Sequence, residues 1–355
     1  GRCAGQSNTT GSFNSYIGYS AGLCGTEASR NVFIGTYAGV GNTTGKCNNM
    51  IGVDAGRCAT VTGQHNNFLG TRAGYRATGC GQYNTFIGYY AGCLNTSGGN
   101  NNFIGRSAGS NNTTGGLNNF IGCAAGKSNT TGVNNNFFGY LSGCSNTTGS
   151  NNVFIGRVTG RDNISGNDNN FIGRYAGIGN TTGCCNNMIG RGAGQCANIT
   201  GLHNTFIGTY AGKCASGAGG CNNFIGLCAG YCNTTGSSNN FFGYRSGYCN
   251  TTGEYNNFIG RCAGGGNTTG CFNNFIGNDV GQSNTTGDYN NFIGHLSGRC
   301  NTTGNLNVFI GRCVGAANTT GSNNIFLGSY AGIGNTTGSC NNMIGRGAGR
   351  AATVT

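Results

Sequence analysis

Residues 103–119 read FIGRSAGSNNTTGGLNN, and this unit of 17 residues recurs along nearly the whole chain. Numbered from its aromatic residue as position 1, the unit has the consensus F-I-G-x-x-A-G-x-x-N-T-T-G-x-x-N-N. The aromatic residue, or a Met, returns every seventeen residues from Tyr16 to Met343, with four steps of eighteen. A fixed period of this length predicts a solenoid, in which each coil buries its apolar residues only against neighbouring coils.

The segment N-N-F-I, at positions 16, 17, 1 and 2, predicts a short strand because it is bounded by Gly and carries apolar residues on both faces. Each strand should pair in parallel with its copy one coil further on. We therefore expect an all-β fold, a parallel β-solenoid or β-roll of about 20 coils of 17–18 residues. Stacked at about 4.8 Å per coil, it would be a rod roughly 95 Å long. The N-T-T-G segment predicts a second extended stretch, since Thr favours strands and Asn and Gly favour bends.

Positions 6 and 7 predict a tight corner in every coil. Gly stands at position 7 throughout, as at Gly177, which is typical of a backbone site that needs positive φ or close approach. Small side chains at position 6, such as Ala38 and Ser142, should point into a thin interior.

The units of eighteen residues indicate a larger repeat. They lack the Asn of position 10 and start at Met50, Phe68, Met188 and Phe206. The last residues of the chain begin the same pattern again. We expect a single continuous solenoid over residues 1–355, with larger modules at about 50–187 and 188–342 and a third that begins at 343.

Periodic identity places equal side chains above one another in two apolar columns. The Phe column includes Phe33, Phe103, Phe120 and Phe137, and the Ile column includes Ile34, Ile51, Ile104 and Ile121. Because neighbours on a strand face opposite sides, one column should point outward. An uninterrupted apolar stripe is more than a soluble monomer exposes, so we expect another copy to cover it. The alternative is a bulge that turns both columns inward.

Asn at position 10 always lies two residues before a Thr or Ser. The residues concerned include Asn42, Asn112, Asn146, Asn233, Asn284 and Asn335. They are either glycosylation acceptors of a secreted chain or a ladder whose amides hydrogen-bond up and down the stack. We favour the ladder, because a structural need for Asn at this position would by itself generate every glycosylation motif.

The 21 Cys residues favour a secreted or surface-displayed protein, since such a number is high for a reducing cytosol. At position 9 they occur in four successive coils, as Cys196, Cys214, Cys232 and Cys249. Vertical neighbours would lie about 5 Å apart, so two stacked disulfides, between the first and second and between the third and fourth, are feasible. Free, half-buried thiols and cross-links between rods stay open as alternatives.

The formal net charge of +12 suits acidic glycans, nucleic acid or solubility equally. Arg recurs at position 4, and the consecutive residues Arg157, Arg174 and Arg191 would repel one another unless they bind an anion or are solvated with Asp162 and Asp168 nearby. No basic cluster with interleaved aromatic residues is evident along the sequence, so we expect no nucleic-acid partner. We also expect no cofactor, no metal site, no membrane span and no enzymatic activity, because no catalytic set or long apolar segment occurs.

The repeat N-T-T-G-x-x-N-N-F-I-G-x-x-A-G resembles those of trimeric autotransporter adhesin heads and of phage and viral tail-fibre shafts, over essentially the whole chain. The resemblance implies a left-handed parallel β-roll that trimerises through one apolar column and serves reach, display and attachment. Phe stands where those families usually carry a small or β-branched residue, and the many Cys residues are a second departure.

These observations lead to two hypotheses. The first is a structural extracellular fibre or filament protein, on a cell or virion surface, that self-assembles as a homotrimer or filament bundle into a stiff appendage or attachment shaft. The second is an adhesin or an ice- or glycan-binding module that uses exposed Tyr, Arg and Thr columns, with residues such as Tyr89, Tyr90, Tyr244 and Arg261 and surface glycans as partners. An ice-binding face would need outward Thr-x-Thr pairs, which adjacent Thr residues do not offer.

Overall fold

The structure, a computed structural model, describes residues 1–57, 62–77, 79, 81–195, 199–215, 217 and 219–350. Its regular secondary structure in those ranges consists of strands of three residues, one in each coil, without helices. By its contacts the chain divides into two units, Gly1–Thr182 and Gly183–Thr355. This division falls close to the module boundary at residue 188, whereas the continuity of the solenoid over all residues stays a prediction.

The described residues of each unit contain ten strands. Those of the first are β1 (Ser15–Ile17), β2 (Val32–Ile34), β3 (Asn49–Ile51), β4 (Asn67–Leu69), β5 (Thr85–Ile87), β6 (Asn102–Ile104), β7 (Asn119–Ile121), β8 (Asn136–Phe138), β9 (Val153–Ile155) and β10 (Asn170–Ile172). Those of the second are β11 (Asn187–Ile189), β12 (Thr205–Ile207), β13 (Asn223–Ile225), β14 (Asn240–Phe242), β15 (Asn257–Ile259), β16 (Asn274–Ile276), β17 (Asn291–Ile293), β18 (Val308–Ile310), β19 (Ile325–Leu327) and β20 (Asn342–Ile344).

Within each unit, consecutive strands pair in parallel and in register. Between β6 and β7, for example, Phe103 pairs with Phe120 and Ile104 with Ile121. The same pairing joins β1 through β10 in the first unit and β11 through β20 in the second. The predicted class, an all-β parallel solenoid of about 20 coils, is confirmed.

The interior of each coil is filled by the residue of position 1, which is aromatic in most coils and Met in the others. The rings of Phe103 and Phe120 stack with centroids 4.8 Å apart and planes 6° apart, and both side chains are fully buried. Small residues at position 6, among them Ala38 and Ser142, are buried beside them, as predicted. These rings, stacked at the spacing of the coils, give each unit a thin core that runs from coil to coil.

The corner at position 7 is confirmed, and it requires Gly for two reasons. Gly109 has a φ of 54°, in the left-handed region that disfavours other residues. A Cβ atom added there would lie 2.5 Å from the ring of Phe103, which is closer than packed carbon atoms approach. The corner therefore folds directly onto the aromatic column.

At two further positions, 5 and 15, most coils hold residues other than Gly in the left-handed region. Tyr175 at position 5 has a φ of 62°, and Leu117 at position 15 has a φ of 60°. This conformation costs a residue other than Gly roughly 1 kcal/mol. Hydrogen bonds between coils hold it in place: the Leu117 amide donates to the Gly99 carbonyl at 3.0 Å and the Tyr175 amide to the Arg157 carbonyl at 3.1 Å.

The second strand that the N-T-T-G segment predicted does not form in the described coils, where an isolated bridge joins Ile199 and Gly217. The amides of Thr113 and Thr114 both donate to the carbonyl oxygen of Thr130, at 2.9 and 3.2 Å. One acceptor shared by two consecutive donors is incompatible with the evenly spaced bonds of a parallel ladder. The segment is therefore a bend, although its Thr residues favour extended backbone.

Candidate interaction surfaces

The outer side of the strands carries the Ile column. The Phe residues named above, from Phe33 to Phe137, are fully buried, whereas Ile51 and Ile121 each expose 37% of their surface and Ile34 and Ile104 are half-buried. Ile155 exposes 40%, and the members in the first and last strands, Ile17 and Ile344, expose 60% and 71%. The two columns thus face opposite sides of the strand, and the alternative in which a bulge encloses both does not occur.

A second column, of Asn at position 17, lies beside the Ile column on the same face. The side-chain amide of Asn102 donates to Oδ1 of Asn119 at 2.8 Å, and that of Asn119 donates to Asn136 at 2.8 Å. Each of these amides thus uses one of its N–H groups along the stack. The strand face combines an apolar stripe with a polar stripe that is partly hydrogen-bonded within itself.

The position-10 Asn residues form a buried ladder. Asn112 donates from Nδ2 to Asn95 Oδ1 at 2.7 Å and to the Gly115 carbonyl at 2.8 Å, and its own Oδ1 accepts from Asn129 at 2.7 Å. The six residues singled out from the sequence are at most 1% exposed: Asn42, Asn112, Asn146, Asn233, Asn284 and Asn335. Enclosed, hydrogen-bonded amides of this kind leave no room for a glycan in the folded chain.

A further buried ladder, at position 16, escaped the sequence analysis. Asn118 accepts on Oδ1 from the backbone amide of Asn135 at 2.9 Å, and its Nδ2 donates to the Gly132 carbonyl at 2.9 Å. The signal was present: Asn occupies position 16 in all twenty coils from Asn14 to Asn341, whereas position 17 also admits Ser, Val, Thr and Ile. Such invariance indicates that the side chain satisfies buried backbone groups, a requirement that a surface residue does not have.

Thr at position 11 also bonds along the stack. Oγ1 of Thr113 donates to the carbonyl oxygen of Thr130 at 3.0 Å, and Oγ1 of Thr130 donates likewise to Thr147 at 3.0 Å. These hydroxyl groups are committed to the main chain, which is not the arrangement of a flat outward hydroxyl array.

The Arg residues of position 4 lie against Tyr rings. The guanidinium of Arg157 lies 5.9 Å and that of Arg174 4.7 Å from the ring centroid of Tyr175, and both donate to its hydroxyl, at 3.1 and 3.2 Å. The bond from Arg174 is the main cause that lowers the pKa of Tyr175 below its ordinary value, and the positive charge of Arg157 adds to it. In the second unit Arg191 lies 5.6 Å from the ring of Tyr210. An anion contact at these three residues stays a prediction.

Carboxylates compensate only a few of the cations. Asp54 pairs with Arg57 at 2.9 Å and with Arg72 at 3.4 Å, while Arg161 binds Asp162 through two hydrogen bonds at 2.7 and 2.9 Å. In the second unit Arg261 lies 3.5 Å from Asp279. Tyr89, Tyr90 and Tyr244 lie in the same region of the coil, and the first two rings meet edge to face at 4.4 Å.

The cysteines of position 9 form a column in register. The amide of Cys214 donates to the Tyr231 carbonyl at 2.8 Å, and the amide of Cys232 to the Tyr248 carbonyl at 3.0 Å. Cys232 and Cys249 carry free thiols, and Cys196 lies outside the described residues. Burial, with the neighbouring thiols adding to it, raises the pKa of Cys232, so its reactive thiolate is scarce. The structure therefore does not form the disulfide between Cys232 and Cys249, and the one between Cys196 and Cys214 stays a prediction.

Neither a metal centre nor a membrane span emerges from the geometry. Across the described ranges, no three His, Cys, Asp or Glu side chains group closely enough to hold a metal ion. The part of the chain that the structure describes has no helix of the length and apolar character that spanning a bilayer demands.

No protein-family model matches the chain, and neither the curated proteins nor the solved structures give a match. The function must therefore be argued from the strand face and from the cationic side of the coils.

Proposed function

We propose that the chain is a structural fibre protein that self-assembles through its strand face. The observation that carries this proposal is the Ile column, whose members Ile51, Ile121, Ile155 and Ile259 each expose 37–40% of their surface while the Met or Phe beside each of them is fully buried. The core is already complete within each coil. The exposed part of the Ile column therefore contributes to stability only if another surface covers it.

The energetics favour a second copy as that surface. Covering the exposed part of each Ile would contribute roughly 1–2 kcal/mol, at about 25 cal/mol per Å² of apolar area. Summed over the ten coils of one unit, this amounts to roughly 10–20 kcal/mol, which is of the size needed to offset the estimated cost of association, about 4–15 kcal/mol. Asn residues of the column beside the Ile column hydrogen-bond along the stack, as Asn102 does with Asn119, and a dry interface would leave that hydrogen bond in place.

The biological role that fits is a stiff appendage or attachment shaft, formed by a homotrimer or a bundle of filaments on a cell or virion surface. The resemblance of the repeat to adhesin heads and tail-fibre shafts supports this role, and the number of Cys residues supports an extracellular location. The uniform columns, without a set of residues arranged for chemistry, favour a scaffold over an enzyme.

Sedimentation velocity on two matched double variants tests the assembly. Ile121→Thr with Ile155→Thr removes apolar surface from the strand face but keeps the β-branched shape. Val133→Thr with Ile164→Thr makes the same change at side chains that are 37% and 47% exposed outside the strands. We expect the wild type and the second variant to sediment as oligomers and the first variant to shift toward the monomer. Equal behaviour of the two variants, or a monomeric wild type, would refute the proposal.

A further inference from the structure

Stacking gathers nearly all of the positive charge onto one side of the coils. Of the 19 Lys and Arg residues, 17 occupy positions 4, 5, 8 or 9 of the repeat, and Arg30 and Lys46 are the two exceptions. We name the surface formed by these four positions the basic edge. Its cations are Arg2, Arg57, Arg72, Arg76, Arg106, Lys127, Arg157, Arg161, Arg174, Arg191, Lys213, Arg245, Arg261, Arg299, Arg312, Arg346 and Arg350.

Contacts within the basic edge show that these positions meet in space. Arg57 at position 8 lies 4.4 Å from the ring centroid of Tyr37 at position 5, and Arg245 at position 5 lies 4.3 Å from that of Tyr248 at position 8. The two positions therefore adjoin on the turn. A single sequence column conceals this, because the cations are spread over positions 4, 5, 8 and 9 and come together only after folding.

The charge of the basic edge is largely uncompensated. It carries three carboxylates, Asp54, Asp162 and Asp279. The basic edge of the first unit has nine cations and two carboxylates, and that of the second unit has eight cations and one carboxylate. Each unit therefore has a net edge charge of +7. The rest of the chain has two cations and four carboxylates, a net of −2. Within each unit, the net positive charge is thus concentrated on the basic edge.

We propose that the basic edge binds a linear acidic polysaccharide, with carboxylate or sulfate groups as the recognised chemistry. This inference is independent of the proposed self-assembly, which uses the strand face. Fifteen of the 17 cations are Arg, whose planar fork matches a carboxylate or sulfate in two parallel hydrogen bonds. Most of these side chains are exposed, among them Arg106, Lys127, Arg157 and Arg174.

The density of charge favours this class of polyanion. Seven net charges over ten coils amount to about one per 7 Å along each unit, given a coil spacing of about 4.8 Å. Duplex DNA carries a charge about every 1.7 Å and would remain mostly unneutralised. A polyuronate bears one charge per hexose, and a hexose advances the polymer by a distance close to the coil spacing.

The Tyr residues of the edge also favour a saccharide over single-stranded nucleic acid. Twelve of the 16 Tyr residues occupy positions 4, 5 or 8. Several rings are already covered by cations. The Tyr210 ring centroid has Lys213 at 4.8 Å and Arg191 at 5.6 Å, and that of Tyr330 has Arg312 at 5.6 Å and Arg350 at 5.8 Å. Bases need open aromatic faces on which to stack. Tyr hydroxyl groups, by contrast, can hydrogen-bond to sugar hydroxyls.

Fluorescence anisotropy on the full chain, at 50 and 200 mM salt, tests the proposal. The probes are labelled polygalacturonate, dextran sulfate, uncharged dextran and oligo-dT. The matched variants are Arg157→Gln with Arg174→Gln on the edge, and Arg30→Gln with Lys46→Gln off it; both lower the formal net charge from +12 to +10. A second edge pair, Arg106→Gln with Lys127→Gln, covers the case in which loss of the Tyr175 contacts disturbs folding.

We expect the wild type to bind polygalacturonate, dextran sulfate or both, but not dextran. Each edge variant should weaken that binding roughly fivefold at 50 mM salt, since exposed ion pairs contribute modestly, while the off-edge variant binds as the wild type does. The relative affinity of the two acidic probes then distinguishes carboxylate from sulfate recognition. Absence of binding, equal weakening by edge and off-edge variants, or tighter binding of oligo-dT than of both polysaccharides would overturn the proposal.

Discussion

The two buried Asn ladders differ in whether they continue through the coils of eighteen residues. In the first unit the ladder at position 16 passes through them: the backbone amides of Asn66, Asn84 and Asn101 donate to Oδ1 of the preceding Asn at 2.9, 3.0 and 3.0 Å. The ladder at position 10 is interrupted there, between Asn42 and Asn95, because those coils have no Asn at that position.

The difference follows from which groups each ladder satisfies. At position 16 the side chain accepts from a buried backbone amide, as Asn118 does from Asn135, and that amide has no alternative acceptor. At position 10 the Asn side chain bonds to other Asn side chains and to a carbonyl oxygen that also accepts from the position-16 ladder. The Gly115 carbonyl, for example, accepts from both Asn101 and Asn112. The corner at positions 10 to 13 can thus vary, whereas the corner at position 16 fixes the backbone just before the strand.

The largest effect is expected from inserting a residue at one corner or the other. An Ala inserted between Asn118 and Asn119 shifts the strand by one residue and turns Phe120 toward solvent, so we expect a loss of about 4 kcal/mol, comparable to removing a core Phe. An Ala inserted between Thr113 and Thr114 lengthens the coil to eighteen residues, as the chain does elsewhere, and should cost about 1 kcal/mol. Urea unfolding of both variants measures the difference; equal costs would contradict the distinction between the corners.

Much of the fold could be predicted because the repeat determines register directly. The period predicts parallel pairing of like residues, and the alternation along a strand predicts that Phe103 and Ile104 face opposite sides. Gly at position 7 predicts the corner that abuts the Phe ring. These inferences need only local geometry and the pairing of neighbouring coils.

The remainder could not be predicted, because it depends on how the corners turn. Thr113 and Thr114 favour a strand by propensity, yet their amides share one acceptor and form a bend. The basic edge depends on positions 4, 5 and 8 meeting across a turn, as Arg57 and Tyr37 do. Left-handed backbone at positions 5 and 15 leaves no residue signature, since Tyr, Leu, Cys and Asp all occur there.

An intermediate effect is expected from truncating either Asn ladder within one coil. Asn118→Ala leaves the buried amide of Asn135 without its acceptor, so we expect a loss of about 2–3 kcal/mol and faster hydrogen exchange at that amide. In Asn112→Ala, Asn129 still donates to the Gly132 carbonyl at 3.0 Å, and we expect a loss of about 1 kcal/mol without that change in exchange. The comparison fails if Asn112→Ala is the more damaging of the two, or if exchange at Asn135 is the same in both.

The smallest effect concerns the residue before the position-16 Asn, and here a substitution should stabilise. Leu117 is 55% exposed with a φ of 60°, and Asn tolerates that conformation better, so Leu117→Asn should raise the free energy of unfolding by about 0.5–1 kcal/mol. The control is Leu202→Asn, the same change at a residue that is 46% exposed and outside the left-handed region. Because the control relieves no strain, we expect it to be neutral within about 0.5 kcal/mol. A gain of the same size in both variants would mean that the loss of exposed apolar surface, and not the relief of backbone strain at this corner, causes the stabilisation.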